Sequence, residues 1–214
     1  MSQIKLVVFD MDGTIIEPRS SWAMIHEHFG TDNTEMLQLY IDHKISDKEF
    51  VKADIQLWNS KSDRSVDEKY INSILDKAKA RKGAEELITS LHENNIKTII
   101  LSGGIQYLAD KWAKKWNMNE ALANELIDDK NGKLTAIINS SGHNKGPVME
   151  KMIEKYNCEK NEIAAVGDTI VDVPTFERAG LSIAVNTDDE RVISKANYHL
   201  KGDLTELKKL IINW

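Results

Sequence analysis

The sequence predicts an α/β fold, a doubly wound parallel sheet interrupted after its first strand by a helical insert. Three observations carry this. Four short runs rich in β-branched residues, IKLVVFD (4–10), IKTIILSG (96–103), EIAAVGD (162–168) and LSIAVN (181–186), are apolar on both alternations, the pattern of strands covered on both faces. Helix-period segments separate the last three runs, and strand–helix–strand alternation implies parallel crossovers. Residues 17–81 carry no strand pattern at all.

The elements follow in chain order. After the first strand, helical spacing runs over 21–29, 34–43, 47–59 and 66–80. Ser46 with Glu49, and Ser65 with Glu68, have capping-box spacing, and Gly30 is placed to stop a helix. This block is too polar to cover a sheet and too long to be a loop, so it reads as a cap domain over 17–81. The α/β core domain is then 1–16 and 82–214. Gly83 to Glu93 forms the helix that feeds the second strand. In LIDDKNGKLTAII, Asn131-Gly132 between alternating residues signals a hairpin. Lys145 to Tyr156 feeds the third strand and Val173 to Ala179 the fourth, and the segments 188–196 and 203–212 close the chain as helices. Trp112 and Trp116 stand on one helix face at i, i+4. Trp58 shares a helical face with Val51 and Ile55 and reads as core.

The bulk composition excludes some functions. A net charge of −6 over 214 residues opposes sequence-independent nucleic-acid binding, which needs a basic footprint. The single cysteine, Cys158, permits no internal disulfide and points to a reducing, cytoplasmic setting. LVVF behind one basic residue, Lys5, is too short for a signal-peptide core. No run approaches the roughly 18 apolar residues of a membrane span. Neither a nucleic acid nor a membrane is therefore an expected partner.

In an open parallel sheet, ligands bind at the carboxyl ends of the strands. The first strand delivers Asp10 and Asp12 there, the second Ser102, Gly103 and Gly104, and the third Gly167 and Asp168, with Asp172 four positions on. Lys145 stands near the start of a helix. Taken singly, each has a plain structural reading: Asp-Gly-Thr is ordinary turn chemistry, Ser102 and Gly103 can be a strand-end turn, Lys145 an exposed helix residue and Asp172 a helix cap. Taken together, Asp10, Asp168 and Asp172 offer hard oxygens to Mg²⁺. Ser102 and the glycine amides suit phosphate oxygens. Lys145 sets a positive charge beside phosphate and nucleophile. A carboxylate can attack phosphorus while its neighbour moves the proton.

DMDGT, the serine of ILSGG, the downstream Lys145 and GDTIVD, in that order, resemble the four motifs of the haloacid dehalogenase (HAD) superfamily, over essentially the whole chain. The resemblance implies a Rossmann-like core with a helical cap of the C1 type after the first motif. KGAEELITSL, SGG, ANELIDDKNGKLT and NKG look most like the phosphoserine phosphatase branch. Carried over residue by residue, the resemblance makes Asp10 the nucleophile and Asp12 the general acid/base. It makes Ser102, Gly103 and Lys145 phosphate-binding, and Asp10, Asp12 (through its backbone carbonyl), Asp168 and Asp172 the Mg²⁺ set, Asp172 in support. Two positions depart from the branch: Thr169 replaces a Gly and Val171 an Asn in the last motif. In the cap, Arg19 falls where the branch has a Glu, with Glu17 near it, and Lys52 falls near the expected Arg. Glu17, Arg19 and Lys52 are therefore the candidate substrate residues of the cap, with Trp22 beside them at its entrance.

The function expected is a Mg²⁺-dependent phosphomonoester phosphatase working through an aspartyl-phosphate. The alternatives are a phosphatase for another small acid such as phosphoglycolate, a phosphomutase, and a non-catalytic phosphate-binding module. His143 reads as structural or exposed, and Lys208 and Lys209 as a solvated helix end.

Overall fold

The computed structural model describes residues 3–140 and 145–214, so His143 lies outside the described residues. β1 (Leu6–Phe9) leads into α1 (Ser21–Phe29), α2 (Thr34–Ile41), α3 (Asp47–Lys61) and α4 (Glu68–Leu75). Then come α5 (Ala84–Glu93), β2 (Lys97–Ile105), α6 (Gln106–Lys115), β3 (Glu120–Asp128), β4 (Leu134–Ile137), α7 (Lys145–Tyr156) and β5 (Ile163–Gly167). The chain continues through α8 (Val173–Phe176), β6 (Leu181–Val185), α9 (Glu190–Ile193), β7 (Tyr198–Leu200) and α10 (Leu207–Ile212). The strands form one sheet in the order β4-β3-β2-β1-β5-β6-β7. Every pairing is parallel except β3 with β4.

The double apolarity of β1 explains its central place. Leu6 and Val8 point into one core with Met149, Met152 and Phe176. Val7 and Phe9 point into the other, with Leu87 and Leu108. Burying both alternations leaves no face for water, so only a middle strand can carry such a sequence. Among the described residues, no helix is long and apolar enough to cross a membrane.

The helical segment leaves and rejoins the sheet at one point. Ile16 bridges Ala80 in antiparallel fashion, flanked by Glu17 N–H donating to the Lys79 carbonyl and Arg81 N–H to the Ile15 carbonyl, both at 2.9 Å. α1 packs on α3 and α4, and α2 on α3. Ser46 and Glu49 close the expected capping box on α3, worth about 1 kcal/mol, and Gly30 ends α1 with φ of 60°. Trp58 is fully buried and stacks with Trp22 at 6.2 Å between ring centres. Trp112 and Trp116 stack at 4.7 Å.

Local expectations are corrected in four places. The Ser65–Glu68 box does not form: Asp67 caps α4 through Tyr70 N–H, because its carboxylate stands next to the first turn and accepts more strongly than a hydroxyl. α4 stops at Leu75 rather than 80, since the chain must extend to reach the Ile16–Ala80 bridge. The Asn131-Gly132 hairpin forms, but as a wider turn in which the Asp129 carboxylate collects the amides of Asn131 and Lys133. At the C-terminus, 188–196 condenses to the single turn α9, and β7, three residues long, is too short to show a period.

Candidate active site

β1 ends at Phe9, but Asp10 stays in register, its N–H donating to the Val166 carbonyl of β5 at 2.8 Å. The chain then folds over itself: the Met11 carbonyl takes the amides of Thr14, Ile15 and Ile16 at 3.0–3.2 Å. Gly13 makes this turn possible. Its φ is +71°, and a Cβ there would stand 2.2 Å from Asp168 Oδ2, so only glycine lets the two strand ends meet. Thr14 Oγ1 donates to Asp168 Oδ1 at 3.1 Å, and Arg81 Nη2 donates to the Gly13 carbonyl at 2.7 Å.

Lys145, 1% exposed, joins the strand ends from α7. Its Nζ lies 2.6 Å from Asp10 Oδ1 and 2.6 Å from Asp172 Oδ1. Burial alone would lower the affinity of this ammonium for its proton. The charges of Asp10 and Asp172, with the hydrogen bonds they accept, overturn that and hold its pKa above the usual lysine value. Asp172 Oδ2 takes the amides of Asp168 and Thr169, each at 3.0 Å, and the Thr169 hydroxyl at 3.2 Å. Thr169, the departure from the resembled motif, thus adds a hydroxyl to the groups that hold Asp172. Both Asp172 oxygens are engaged, which suits a residue that orients Lys145.

Asp12 is held differently. Its Oδ2 accepts from the Ser21 amide and the Ser21 hydroxyl, both at 2.7 Å. Its Oδ1 is buried with no hydrogen-bond partner. Ser21 Oγ also accepts from Ile105 N–H at 3.1 Å, so one hydroxyl ties the first turn of α1 to both β1 and β2. At β2 the pairing with β3 shifts register between Leu101 and Ile105. Within that irregularity Ser102 Oγ accepts from Gly104 N–H at 3.1 Å. The Gly103 carbonyl is held by Trp22 Nε1–H at 3.0 Å and Asn124 Nδ2–H at 2.9 Å. A Cβ on Gly104 would stand 2.6 Å from Asp12 Oδ2, so the close approach of β2 to Asp12 requires the glycine.

Ligand atoms of Asp10, Asp168 and Asp172 lie within 4.8 Å of one another. Burial is the main force raising the Asp10 carboxyl well above the usual range; Lys145 pulls it back, and the charges of Asp172 and Asp168 push it up again. Burial first, then the charge of Asp172, lifts Asp168 to about 7. Burial also raises Asp12, against the hydrogen bonds from Ser21. One ammonium thus serves several buried carboxylates, and the cluster is short of positive charge. The oxygen-only donor set fits a hard divalent cation, and the crowding of carboxylates gives such an ion something to neutralise.

A cavity of about 220 Å³ opens beside this cluster. Asp10, Asp12, Ser102, Gly103, Gly104 and Lys145 form its floor, and Arg19, Ser20, Trp22, Tyr40, Asp47, Phe50 and Val51 its helical side, with Asn124, Ile138, Thr169 and Val171 around the rim. The structure brings Arg19 to this cavity. It does not bring Lys52, which lines a neighbouring one, and exposed Glu17 is not among the lining residues. Sequence reasoning missed Ser21, Asn124, Tyr40, Asp47 and Phe50. Ser21 follows the motif at a distance set only by the turn, and Asn124 sits in a strand that shows no alternation. Asp47 and Phe50, three apart on α3, show nothing until α3 is placed over the sheet.

A sequence profile of the haloacid dehalogenase-like hydrolases matches residues 4–180. The phosphoserine phosphatase of Archaeoglobus fulgidus is 29% identical over 189 residues, covering 86% of this chain and 53% of that protein. That of Campylobacter jejuni subsp. doylei is 27% identical over 212 residues, covering 97% of this chain and 98% of that protein. The chain thus spans about half the length of the first relative and nearly all of the second. Among solved structures, a phosphoserine phosphatase captured as a phospho-aspartyl intermediate analogue superposes with a TM-score of 0.79 at 25% identity, over 98% of this chain and 100% of that one. The strand-end geometry and these likenesses agree: the chain belongs to the haloacid dehalogenase-like hydrolases and stands in their phosphoserine phosphatase-like branch.

Proposed function

We propose that the protein is a Mg²⁺-dependent phosphomonoester phosphatase that hydrolyses a small phosphorylated metabolite through an aspartyl-phosphate on Asp10. The observation that carries this reading is the pairing of Asp10 with Lys145 at 2.6 Å beside an Asp12 whose outer oxygen has no partner. Lys145 orients the Asp10 carboxylate and works against the burial that raises its pKa. An Asp10 oxygen attacks phosphorus, the bond from phosphorus to the ester oxygen breaks, and Asp12 gives that oxygen its proton. Burial favours the protonated form of Asp12, as a general acid requires. Asp12 then takes a proton from water, the hydroxide attacks phosphorus, and the bond to Asp10 breaks to release inorganic phosphate. Ser102, the Gly103 amide and Lys145 bind the phosphate oxygens throughout.

Asp10, the Asp12 carbonyl and Asp168 would hold the cation, with Asp172 supporting them. When bound, Mg²⁺ supplies positive charge against the phosphoryl oxygens. Residues 17–81 act as a cap domain on the core of 1–16 and 82–214, closing the site against water and reading the leaving group. A reducing cytoplasm suits a chain with one cysteine.

The relatives' substrate is one candidate. Arg19 and Asp47 both line the cavity and offer opposite charges to a carboxylate and an ammonium, which favours phosphoserine as a second, narrower reading. Against a strong preference, Asp47 Oδ1 is already taken by the Tyr40 hydroxyl at 2.7 Å, and Glu17 and Lys52 lie elsewhere. The test is inorganic phosphate release and kcat/KM for phosphoserine, phosphoglycolate and other small esters with Mg²⁺. We expect phosphoserine to lead by less than a hundredfold, about 2.7 kcal/mol. A larger lead establishes the narrower reading, and no phosphate release from any ester overturns both.

A further inference from the structure

The catalytic cavity has a larger neighbour. A second cavity of about 820 Å³ opens between α3 and β4. Val51 of α3 and Ile138, just past β4, line both spaces, so the two adjoin at apolar side chains. Helical periodicity explains this arrangement. Asp47, Phe50 and Val51 face the catalytic cavity, whereas Lys48, Val51, Lys52 and Ile55 face the other, and Val51 is where the two stripes of α3 meet.

The second cavity is charged in one sense only. Lys48 and Lys52 approach from α3 and Lys133 from the β3–β4 turn, and no Asp or Glu lines it. The chain as a whole carries a net charge of −6, so an acid-free cavity with three cations is against the general trend. Among the described residues, none of the three makes a salt bridge. Val51, Ile55, Val66, Ala136 and Ile138 add apolar surface. Converging cations over an apolar wall suit an anionic group on an apolar stem.

We infer that the leaving group of the substrate extends past Val51 and Ile138 into this cavity and carries a second anionic group there, read by Lys48, Lys52 and Lys133. The substrate class is then a phosphomonoester with an anion at each end of an apolar spacer. This rests on the phosphatase reading, which supplies the position of the phosphate end. It also gives Lys52 a role at the far end of the substrate, away from the phosphorus.

The experiment compares ω-(phosphonooxy)alkanoates of four to eight carbons with the alkyl phosphates of the same lengths, in the full chain with Mg²⁺. The inference expects an optimum length at which the carboxylate raises kcat/KM at least tenfold. That ratio should fall below about threefold in the Lys48→Gln/Lys133→Gln double variant. A second measurement uses Asp10→Asn protein and titration calorimetry, where the same matched pair should differ in affinity in the same direction. Hydrolysis of both series with a ratio near one at every length overturns the inference and leaves the phosphatase reading standing. So does a ratio that survives the double substitution. Hydrolysis of neither series while phosphoserine or phosphoglycolate is still cleaved overturns the inference alone, and no phosphate release from any of these esters overturns the phosphatase reading with it.

Discussion

Among the described residues, two carboxylates keep one fully buried oxygen without a hydrogen bond, and the two have opposite surroundings. Asp12 Oδ1, at the end of β1, belongs to a residue that lines the catalytic cavity. Asp54 Oδ2, on α3, belongs to a residue with no exposure at all. Around Asp54 the helical segment gathers its own polar groups: Asn33 Nδ2 donates to Oδ1 at 3.1 Å, and His26 Nε2, which has no hydrogen-bond partner, lies 3.2 Å from the same oxygen. Trp58 Nε1–H donates to His26 Nδ1 at 3.3 Å, which makes Nδ1 the acceptor and leaves the proton on Nε2, toward Asp54. Both sites bear the cost of removing charge from water. At the strand ends that cost leaves an unsatisfied oxygen on a residue that lines a space where a ligand fits. Between the helices it leaves a polar pin that fixes α1 against α3. An unsatisfied buried group therefore points to function only when something can reach it.

The comparison breaks first at the nucleophile. Asp10→Asn is nearly isosteric and leaves Lys145 its bond to Asp172, so the melting transition should stay close to that of the parent while turnover falls at least about a thousandfold. Steady-state phosphate release beside a thermal melt measures both. Activity within tenfold of the parent would remove Asp10 from the covalent role.

The mirror experiment is Asp54→Ala. It strips Asn33 of its acceptor and removes the carboxylate beside His26 inside the helical segment, and should destabilise the fold by about 3 kcal/mol. Activity per folded molecule should stay within a few-fold, because no residue of this set lines the catalytic cavity. Denaturant unfolding with activity measured below the transition reads the split. A large loss of kcat with unchanged stability would mean that the pin acts on the chemistry.

Mg²⁺ should separate the two regions as well. Ion bound to the native state alone, at a hundred times its dissociation constant, adds about 2.7 kcal/mol of stability. That gain should appear in the parent and in Asp54→Ala and shrink in Asp168→Asn, with Ca²⁺ supporting turnover poorly because it favours more ligands at longer distances. Equal stabilisation of Asp168→Asn would place the ion elsewhere.

Much of this was legible before any coordinates. The run LVVF, apolar on both alternations, announced a strand covered on both faces, and α1 and α3 read correctly because Gly30 and the Ser46–Glu49 box are local chemistry. Asp10, Asp168, Asp172, Ser102 and Lys145 were legible because strand ends in a parallel sheet converge on one edge whatever lies between them. The helical wall of the cavity was not legible. Glu17, Arg19 and Lys52 were expected there with Trp22 beside them, yet of these only Arg19 and Trp22 line it, since the direction of a side chain on α3 depends on how α3 docks over β4. The pairing of Asp54 with His26 spans 28 positions and two helices and leaves no period to detect. Contacts encoded by local geometry or by sheet topology can be read from sequence; contacts set by the docking of one helix on another cannot.

The smallest effect tests whether the two regions communicate. Trp22 stacks on Trp58 at 6.2 Å, and Trp58 donates to His26 beside Asp54. The indole N–H of Trp22 donates to the Gly103 carbonyl at 3.0 Å, in the turn that carries Ser102. Trp22→Phe keeps a smaller aromatic ring against Trp58 and deletes the N–H together with the pyrrole part of the indole, at a cost of about 1–2 kcal/mol in stability. Asn124 still holds the Gly103 carbonyl, so the turn loosens without collapsing. We expect KM for small phosphate esters to rise about three- to tenfold with kcat changed less, and inhibition by inorganic phosphate to weaken in parallel. Combining Trp22→Phe with Asn124→Ala removes both donors, and the pair should couple by more than about 0.5 kcal/mol in kcat/KM, as partners sharing one acceptor do. Strict additivity, or an unchanged KM in Trp22→Phe, would show that the aromatic stack ends at the cavity wall and does not position the phosphate-binding turn.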